Sequence, residues 1–499
     1  MAQKSDRLFI IFILFHLIGW TVIPALVRFN LPLDAIEGTI WGHQLEWGYD
    51  KNPYLNGWLT ALATYLDGQS GWMIYLFSQL SVIIAFSVIY QLGKTMLSPI
   101  YGLISVLIME GIQYYNIHSI DFNDNNLELS LWALCIYFFY QVTKISSYRA
   151  WILTGLFAAL GLMAKYYTLV LIVPMAILLF RNSSYRKTLL TLPPYSGLLT
   201  FLAVIMPHLY WLTTHHYITI TYVFQRADSP PRISNHFFFP AQFAIQQAQV
   251  FIPAVLLLGF LFIGKKPFLN KSLSPLTSSD KQFLYYIGFG PFLLTLALSL
   301  LLGITLRAGW GMPLFTLWSI ILITWVRPNV TWAKCYRLMA CVIVLMGICF
   351  YAYRISIIDS PDPSSANFPG DQLAKIVTDK WRHTYHTPLS YVAGSRWLSG
   401  NIQFYSKDQP SVFIEWDIKR APWINLHDLQ KKGGVFIWEI SANEKLPDEI
   451  RKKFPNLTQI ETMELNWYRN TYHLPPTKIG IAFLPPREKM ILPTQATKE

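Results

Sequence analysis

The chain has 499 residues, of which 53% are hydrophobic and 14% charged, with a formal net charge of +12. A soluble protein carries nearer a quarter charged residues, whereas here apolar runs of about 20 residues, enough to cross a hydrocarbon core, recur along most of the first 353 positions. An ordinary soluble domain is excluded. The positive surplus comes with no zinc-ligand spacing or basic helix, so it reads as membrane topology and not as nucleic-acid binding.

Taken in chain order, Lys4 and Arg7 precede an apolar run from Leu8 to Val27 that lacks a small-residue exit. That pattern predicts a permanent span, not a cleaved signal. Eleven spans are expected, near 8–28, 73–93, 98–116, 126–143, 149–163, 166–180, 190–212, 241–264, 283–303, 309–326 and 335–353. Lys165 separates the fifth from the sixth. With a cytoplasmic N-terminus, fifteen Lys and Arg fall in inner connections and six (Arg28, Lys51, Lys165, Arg226, Arg232 and Arg307) in outer ones. This is a positive-inside bias, and the odd number of spans puts everything after about Arg354 outside.

The expected division is a mainly α, polytopic membrane domain over 1–354 and a soluble domain over 355–499. In the tail, LSYVAGS and GVFIWEI read as buried strands and GDQLAKIVTDKW as an amphipathic helix, giving a small α/β domain. Cys135, Cys335, Cys341 and Cys349 all lie in apolar segments, which argues against a disulfide framework or a CxxC site.

Acidic residues show the reverse bias. Inner loops hold Asp6 and Asp280, while outer connections hold Asp34, Glu37, Glu46, Asp50, Asp67, Asp121, Asp124 and Asp228. Carboxylates contribute little to insertion, so the clustering reads either as plain solvation of outer loops or as a polar reaction site there. The first outer connection, 29–72, contains two amphipathic pieces. The stretch Asp34 to Trp47 suits a helix lying in the interface, and Trp41, Trp47, Tyr49, Tyr54 and Trp58 suit an aromatic belt. Asp34 and Glu37 share a helix face. The same D-x-x-E spacing after Pro32 makes a capping box, which spacing alone favours.

Lys165 and Arg307 each sit in a very short connection between apolar helices, where a charge is costly and marks a functional candidate. The alternative is that both snorkel to the headgroups. Glu110 falls inside a span and needs a partner. His208 reads as a hydrogen-bonded core residue. His215, His216 and His236 flank the loop 213–240, so a divalent metal stays open as an alternative, without fixed spacing to support it. That loop, with Pro230, Pro231 and Arg232, is a candidate mobile cover over the donor.

The run DAIEGTIWGHQLEWGYDKNPYLNGWL resembles the first outer loop of GT-C glycosyltransferases related to protein mannosyltransferases and the lipid A aminoarabinose transferase. HSIDFNDNNLELSLWALCIYFF, GLFAALGLMAKYYTLVLIVP, IMPHLYWL and ITLRAGWGMPLF resemble later family segments in the same order, and YVAGSRWLSGNIQFY a stretch of the tail. The resemblance implies an inverting transferase that takes a sugar from a polyprenyl-phosphate donor to a lipid A, glycan or other acceptor, on the outer face of a bacterial inner membrane. It implies Asp34 as catalytic base, with Ala35 where the family's following Glu stands and Glu37 as a possible second carboxylate. Asp121 would be a second acid, with Asp124 beside it. Asp50-Lys51-Asn52-Pro53 matches an acid-Lys-Pro stretch whose Lys contacts the lipid phosphate, although Asp50 is offset. Lys165 with Tyr166, Arg226 and Arg307 would also line the substrate. No cofactor is implied with certainty, and the partners are the donor, the acceptor and membrane lipids. The rival reading is a transporter or flippase of a lipid-linked sugar. The sequence has no internal repeat, and its polar candidates crowd the outer face and not the midplane, which disfavours that rival.

Overall fold

The computed structural model describes residues 2–68, 70–227, 232–263, 269–270, 275–440 and 446–487. Asp228, Pro230, Pro231, Lys265, Lys266 and Lys271 lie outside the described residues. The chain forms two compact units: Met1–Leu26, Lys51–Asn56 and Trp72–Tyr353 make the first, and Val27–Asp50, Gly57–Gly71 and Arg354–Glu499 the second.

The first unit is helical. Its helices are α1 (Ala2–Val27, whose last residue falls in the second unit), α4 (Trp72–Met96), α5 (Pro99–Met109), α6 (Asp124–Lys144), α7 (Tyr148–Ala164), α8 (Leu169–Arg181), α9 (Ser183–Thr188), α10 (Pro193–Thr214), α11 (Ile218–Ala227), α12 (Asn235–Gly259), α13 (Ser278–Leu302), α14 (Trp318–Val326) and α15 (Trp332–Ile358), which runs on into the second unit. Each expected span coincides with one of these helices. The count of eleven is another matter. Among the described residues six helices are long and apolar enough to cross a membrane, or up to seven if the pair Ala308–Phe315 and Trp318–Val326, bent by 58°, is one span. Pro99–Met109, Tyr148–Ala164 and Tyr166–Arg181 are apolar but shorter.

The break expected at Lys165 is real. Lys165 caps the end of α7 in an extended conformation, φ −160° and ψ 136°, and a 3₁₀ turn over Tyr166–Thr168 starts the next helix. Small residues let the helices approach. A Cβ on Gly155 of α7 would come within 2.0 Å of the Gly197 carbonyl oxygen on α10, the close backbone contact that small side chains permit between membrane helices.

The second unit combines the C-terminal region with most of the first long connection. Its sheet has the order β2-β1-β3-β5-β4, with β1 (Tyr391–Gly394), β2 (Ser411–Ile414), β3 (Gly434–Glu439), β4 (Thr458–Leu465) and β5 (Thr477–Leu484). Strand β1 pairs in parallel with β2 and β3, whereas β5 runs antiparallel to both β3 and β4. The four residues of β1 are all buried, as expected of a strand covered on both faces. Helix α16 (Gly370–Tyr385) contributes Leu373, Val377 and Trp381 to the core, and α17 (Arg396–Tyr405) contributes Leu398 and Ile402. The expected strands and tail helix are therefore present, within a mixed sheet.

Two helices of the first connection belong to this unit, α2 (Leu33–Gln44) and most of α3 (Leu55–Asp67). Helix α2 is not an amphipathic helix with one wet face: Ala35 through Gly42 are all buried, and Ile40 joins the core of the α/β region. The expected aromatic belt is likewise turned inward in part. Trp41 and Tyr49 are buried and stack at 5.2 Å, while Trp47 remains exposed.

Candidate active site

The ionisable residues singled out from the sequence fall into two groups, one in each unit.

In the second unit, α2 begins at Leu33 with Pro32 as its N-cap and no side-chain capping bond. Asp34 thus lies in the first turn, half-buried, where the helix dipole favours a carboxylate. The capping-box reading of Asp34 and Glu37 is corrected: Pro32 is the N-cap, with φ −58°, so Asp34 stands inside the first turn and not at the cap position. Glu37, one turn on, is buried and turned to Arg396. The Arg396 Nε lies 2.8 Å from Glu37 Oε1 and Nη1 donates to the same oxygen at 3.2 Å, while Nη2 donates to Asp50 Oδ2. The three side chains are 12%, 10% and 4% exposed, in the order Arg396, Glu37, Asp50. Burial alone would lower the pKa of Arg396, but Asp50, Glu37 and Glu415 outweigh it and hold the guanidinium more firmly charged.

Arg396 lies in the tail stretch YVAGSRWLSGNIQFY but carries no sequence pattern of a site residue. Its only local signal is the serine before it: Ser395 accepts from the Leu398 N–H and so starts α17 with Arg396 in the first turn. Nearby, the Tyr49 hydroxyl donates to the Trp41 carbonyl at 2.7 Å. Burial pushes the Tyr49 hydroxyl far above its usual range, so it stays a donor.

In the first unit, the ammonium of Lys165 lies 2.9 Å from Asp124 Oδ2 and also donates to the Asn125 side-chain oxygen. The Lys165 side chain is 13% exposed and its Nζ sits 5.5 Å from the ring centre of Trp310. Asn123 caps α6 by accepting from the Asn126 N–H, which sets Asp124 and Asn125 in the first turn facing the break at Lys165. One turn further along α6, the fully buried Glu128 accepts from the Thr168 hydroxyl at 3.0 Å, and Trp132 donates to that hydroxyl. Glu128 was missed, although its i,i+4 spacing from Asp124 puts both on one helix face.

Tyr166 meets the buried His208, which is thus a hydrogen-bonded core histidine as expected. Arg307 immediately precedes Ala308, whose carbonyl accepts from Tyr114 at 2.6 Å and Gln247 at 3.1 Å. Arg307 itself is exposed, as is Arg226 in the last turn of α11, and neither makes an ion pair among the described residues. Lys51 is half-buried in the connection between α2 and α3.

Asp121 lies half-buried in the loop before α6. That loop is anchored at the Ser119 carbonyl, which accepts from Gln79 at 3.0 Å and from Ser78. Gln79 in turn meets His16, whose other ring nitrogen lies 2.9 Å from Glu110, so His16 is the partner Glu110 required. His215 stacks on Trp211 at 4.1 Å and His236 meets the Leu300 carbonyl. Among the described residues no group of three or more His, Cys, Asp or Glu is placed to hold a metal ion.

Residues 51–211 match the family of dolichyl-phosphate-mannose-protein mannosyltransferases. The crystal structure of ArnT from Cupriavidus metallidurans bound to undecaprenyl phosphate is similar over 97% of this chain and 98% of that one, with a TM-score of 0.60 and 14% identity. The apo state of the same ArnT aligns over 97% and 99% of the two chains at 13% identity, with a TM-score of 0.49. No curated protein sequence matches. The likeness to ArnT shows a shared fold, a helical region with a C-terminal sheet, and the family match is confined to residues 51–211.

Proposed function

We propose that this protein is an inverting glycosyltransferase. It moves a sugar from a polyprenyl-phosphate donor to a lipid A, glycan or other acceptor at the periplasmic face of the inner membrane, with its N-terminus cytoplasmic and its C-terminal domain periplasmic. The likeness to a structure that holds undecaprenyl phosphate supports a donor of that class. The positive-inside bias supports the orientation.

In the proposed step the acceptor hydroxyl oxygen attacks the anomeric carbon opposite the phosphate, and Asp34 takes its proton as general base. The bond from the anomeric carbon to the phosphate oxygen breaks, and the lipid phosphate leaves with the electron pair. A single displacement inverts the anomeric centre. Charge growing on the leaving phosphate is met by fixed cations, for which Lys51, Lys165, Arg226 and Arg307 are the candidates. Asp121 is assigned as a second catalytic acid, Tyr166 to the substrate, and Asp124 to orienting Lys165. Glu37 and Asp50, given to catalysis and substrate by the resemblance, are assigned instead to holding Arg396.

The observation that carries this reading is Lys165, an ammonium held by one carboxylate and one amide at a break between apolar helices, inside the family-matched span. The test uses the purified protein in lipid with a polyprenyl-phosphate sugar and envelope glycolipid as acceptor. Wild type is expected to transfer the sugar, and Asp34→Asn to lose about 10²- to 10⁴-fold in kcat. Full activity in Asp34→Asn removes it as base. A wild type that transfers nothing but carries the lipid-linked sugar across vesicle membranes is a flippase instead.

A further inference from the structure

We propose that Arg396 is a positioning residue that clamps both ends of the segment 37–50 and so sets the orientation of Asp34 and Lys51, the residues flanking that segment. The consequence for catalysis rests on the glycosyl-transfer reading above. The clamp itself does not.

The geometry is specific. Glu37 and Asp50 lie at opposite ends of one stretch, and a single buried guanidinium meets both. The planar fork of arginine can serve two carboxylates at once from fixed directions, which a lysine ammonium cannot reproduce. The arginine is itself fixed, since it opens α17 beside the Ser395 cap. Helix α17 packs on α2 so closely that a Cβ on Gly400 would stand 2.6 Å from Ile36 Cγ2 and 3.0 Å from Ile40 Cδ1. Inside the segment, the Tyr49 hydroxyl bond to the Trp41 carbonyl draws its far end back onto α2. Asp34 lies one turn before Glu37 on the same helix, and Lys51 directly follows Asp50. Freeing either end of the segment therefore reorients a residue assigned to chemistry, although Arg396 is assigned no contact with substrate.

The experiment uses the full chain in lipid and three variants: Arg396→Gln, Arg396→Lys, and the triple change Arg396→Gln with Glu37→Gln and Asp50→Asn. Hydrogen exchange over 33–53, thermal stability, and kcat and KM for the polyprenyl-phosphate sugar are measured together. Arg396→Gln is expected to lose stability and to exchange over 33–53 about tenfold faster. The triple variant buries no unpaired charge, so its stability returns, yet its kcat stays down about 10- to 100-fold with donor KM within about threefold, because misplacement and not unfolding limits it. Arg396→Lys recovers neither kcat nor slow exchange. Recovery of kcat along with stability in the triple variant overturns the positioning role, as does unchanged exchange in Arg396→Gln. If wild type transfers no sugar, the glycosyl-transfer reading falls alone, and the exchange over 33–53 still decides the clamp.

Discussion

Two largely buried cations, Lys165 and Arg396, are assembled in different ways. Lys165 sits where one apolar helix stops and the next begins, and its partners Asp124 and Asn125 come from the start of a nearby helix, 40 residues away for Asn125. Arg396 draws its two carboxylates from 359 and 346 residues away. One is built on a helix break and is the cation proposed above to meet the donor phosphate. The other is a long-range staple between distant stretches of chain, with both of its partners on the protein. A buried charge in this fold is therefore not by itself a mark of chemistry. What separates the two is whether the charge is already matched by more than one carboxylate.

That comparison is broken most directly by Arg396→Met, which leaves Glu37 and Asp50 buried without their cation. The expected loss is about 3–5 kcal/mol of unfolding free energy, read by denaturation of the full chain in detergent. A loss below about 1 kcal/mol, as surface pairs show, would mean that the staple is not structural. Lys165→Met is expected to do the reverse: a melting temperature near wild type, with kcat down about 10²- to 10³-fold, because the cation proposed for the leaving phosphate is gone. Equal kcat in that variant would reduce Lys165 to a structural partner of Asp124.

A smaller effect is expected at the α2–α17 contact. Gly400→Ala places a methyl against Ile36 and Ile40 and is expected to cost about 1–3 kcal/mol, measured by the same denaturation. The smallest prediction is a pH effect in the α/β region. Asp408 accepts from the Leu389 N–H at 2.8 Å and from Arg382. Burial would raise its pKa, but those two partners outweigh it and hold the carboxyl below its usual value of 3.8. A depressed folded-state pKa contributes stability above the unfolded value, and that contribution disappears as pH falls through the folded one. Asp408→Asn should therefore flatten the acid limb of the stability profile below about pH 4 and lower the plateau above it. An unchanged acid limb would remove Asp408 from that role.

Much of the helical region was legible. Apolar runs mark the long helices but not α9 or α11, and Lys165 marks the break between α7 and the following turn, because hydropathy and a single misplaced charge act locally. In the tail, LSYVAGS and GVFIWEI supplied β1 and β3, and the amphipathic run supplied α16, while β2, β4, β5 and the antiparallel half of the sheet do not follow from those runs. Strand β4 is mostly exposed, so it lacks the buried pattern that identified β1 and β3. In the first connection, composition suggested an interfacial helix and an aromatic belt, yet α2 is buried nearly all round. Tryptophans suit a wet interface and a packed core equally well, and only their neighbours decide between the two.

The sequence by itself determined that this is a polytopic helical membrane protein with a C-terminal α/β region, and it pointed to Asp34, Lys165 and their neighbours. Those features rest on periodicity, hydropathy and short-range spacing, which each segment carries alone. Only the tertiary structure decided that Glu37 and Asp50 belong to Arg396, that Glu110 belongs to His16 and that Glu128 meets Thr168. The reason is physical: a buried charge is satisfied by whatever the folded path brings within hydrogen-bond reach, and that path joins residues whose separation along the chain carries no local signal.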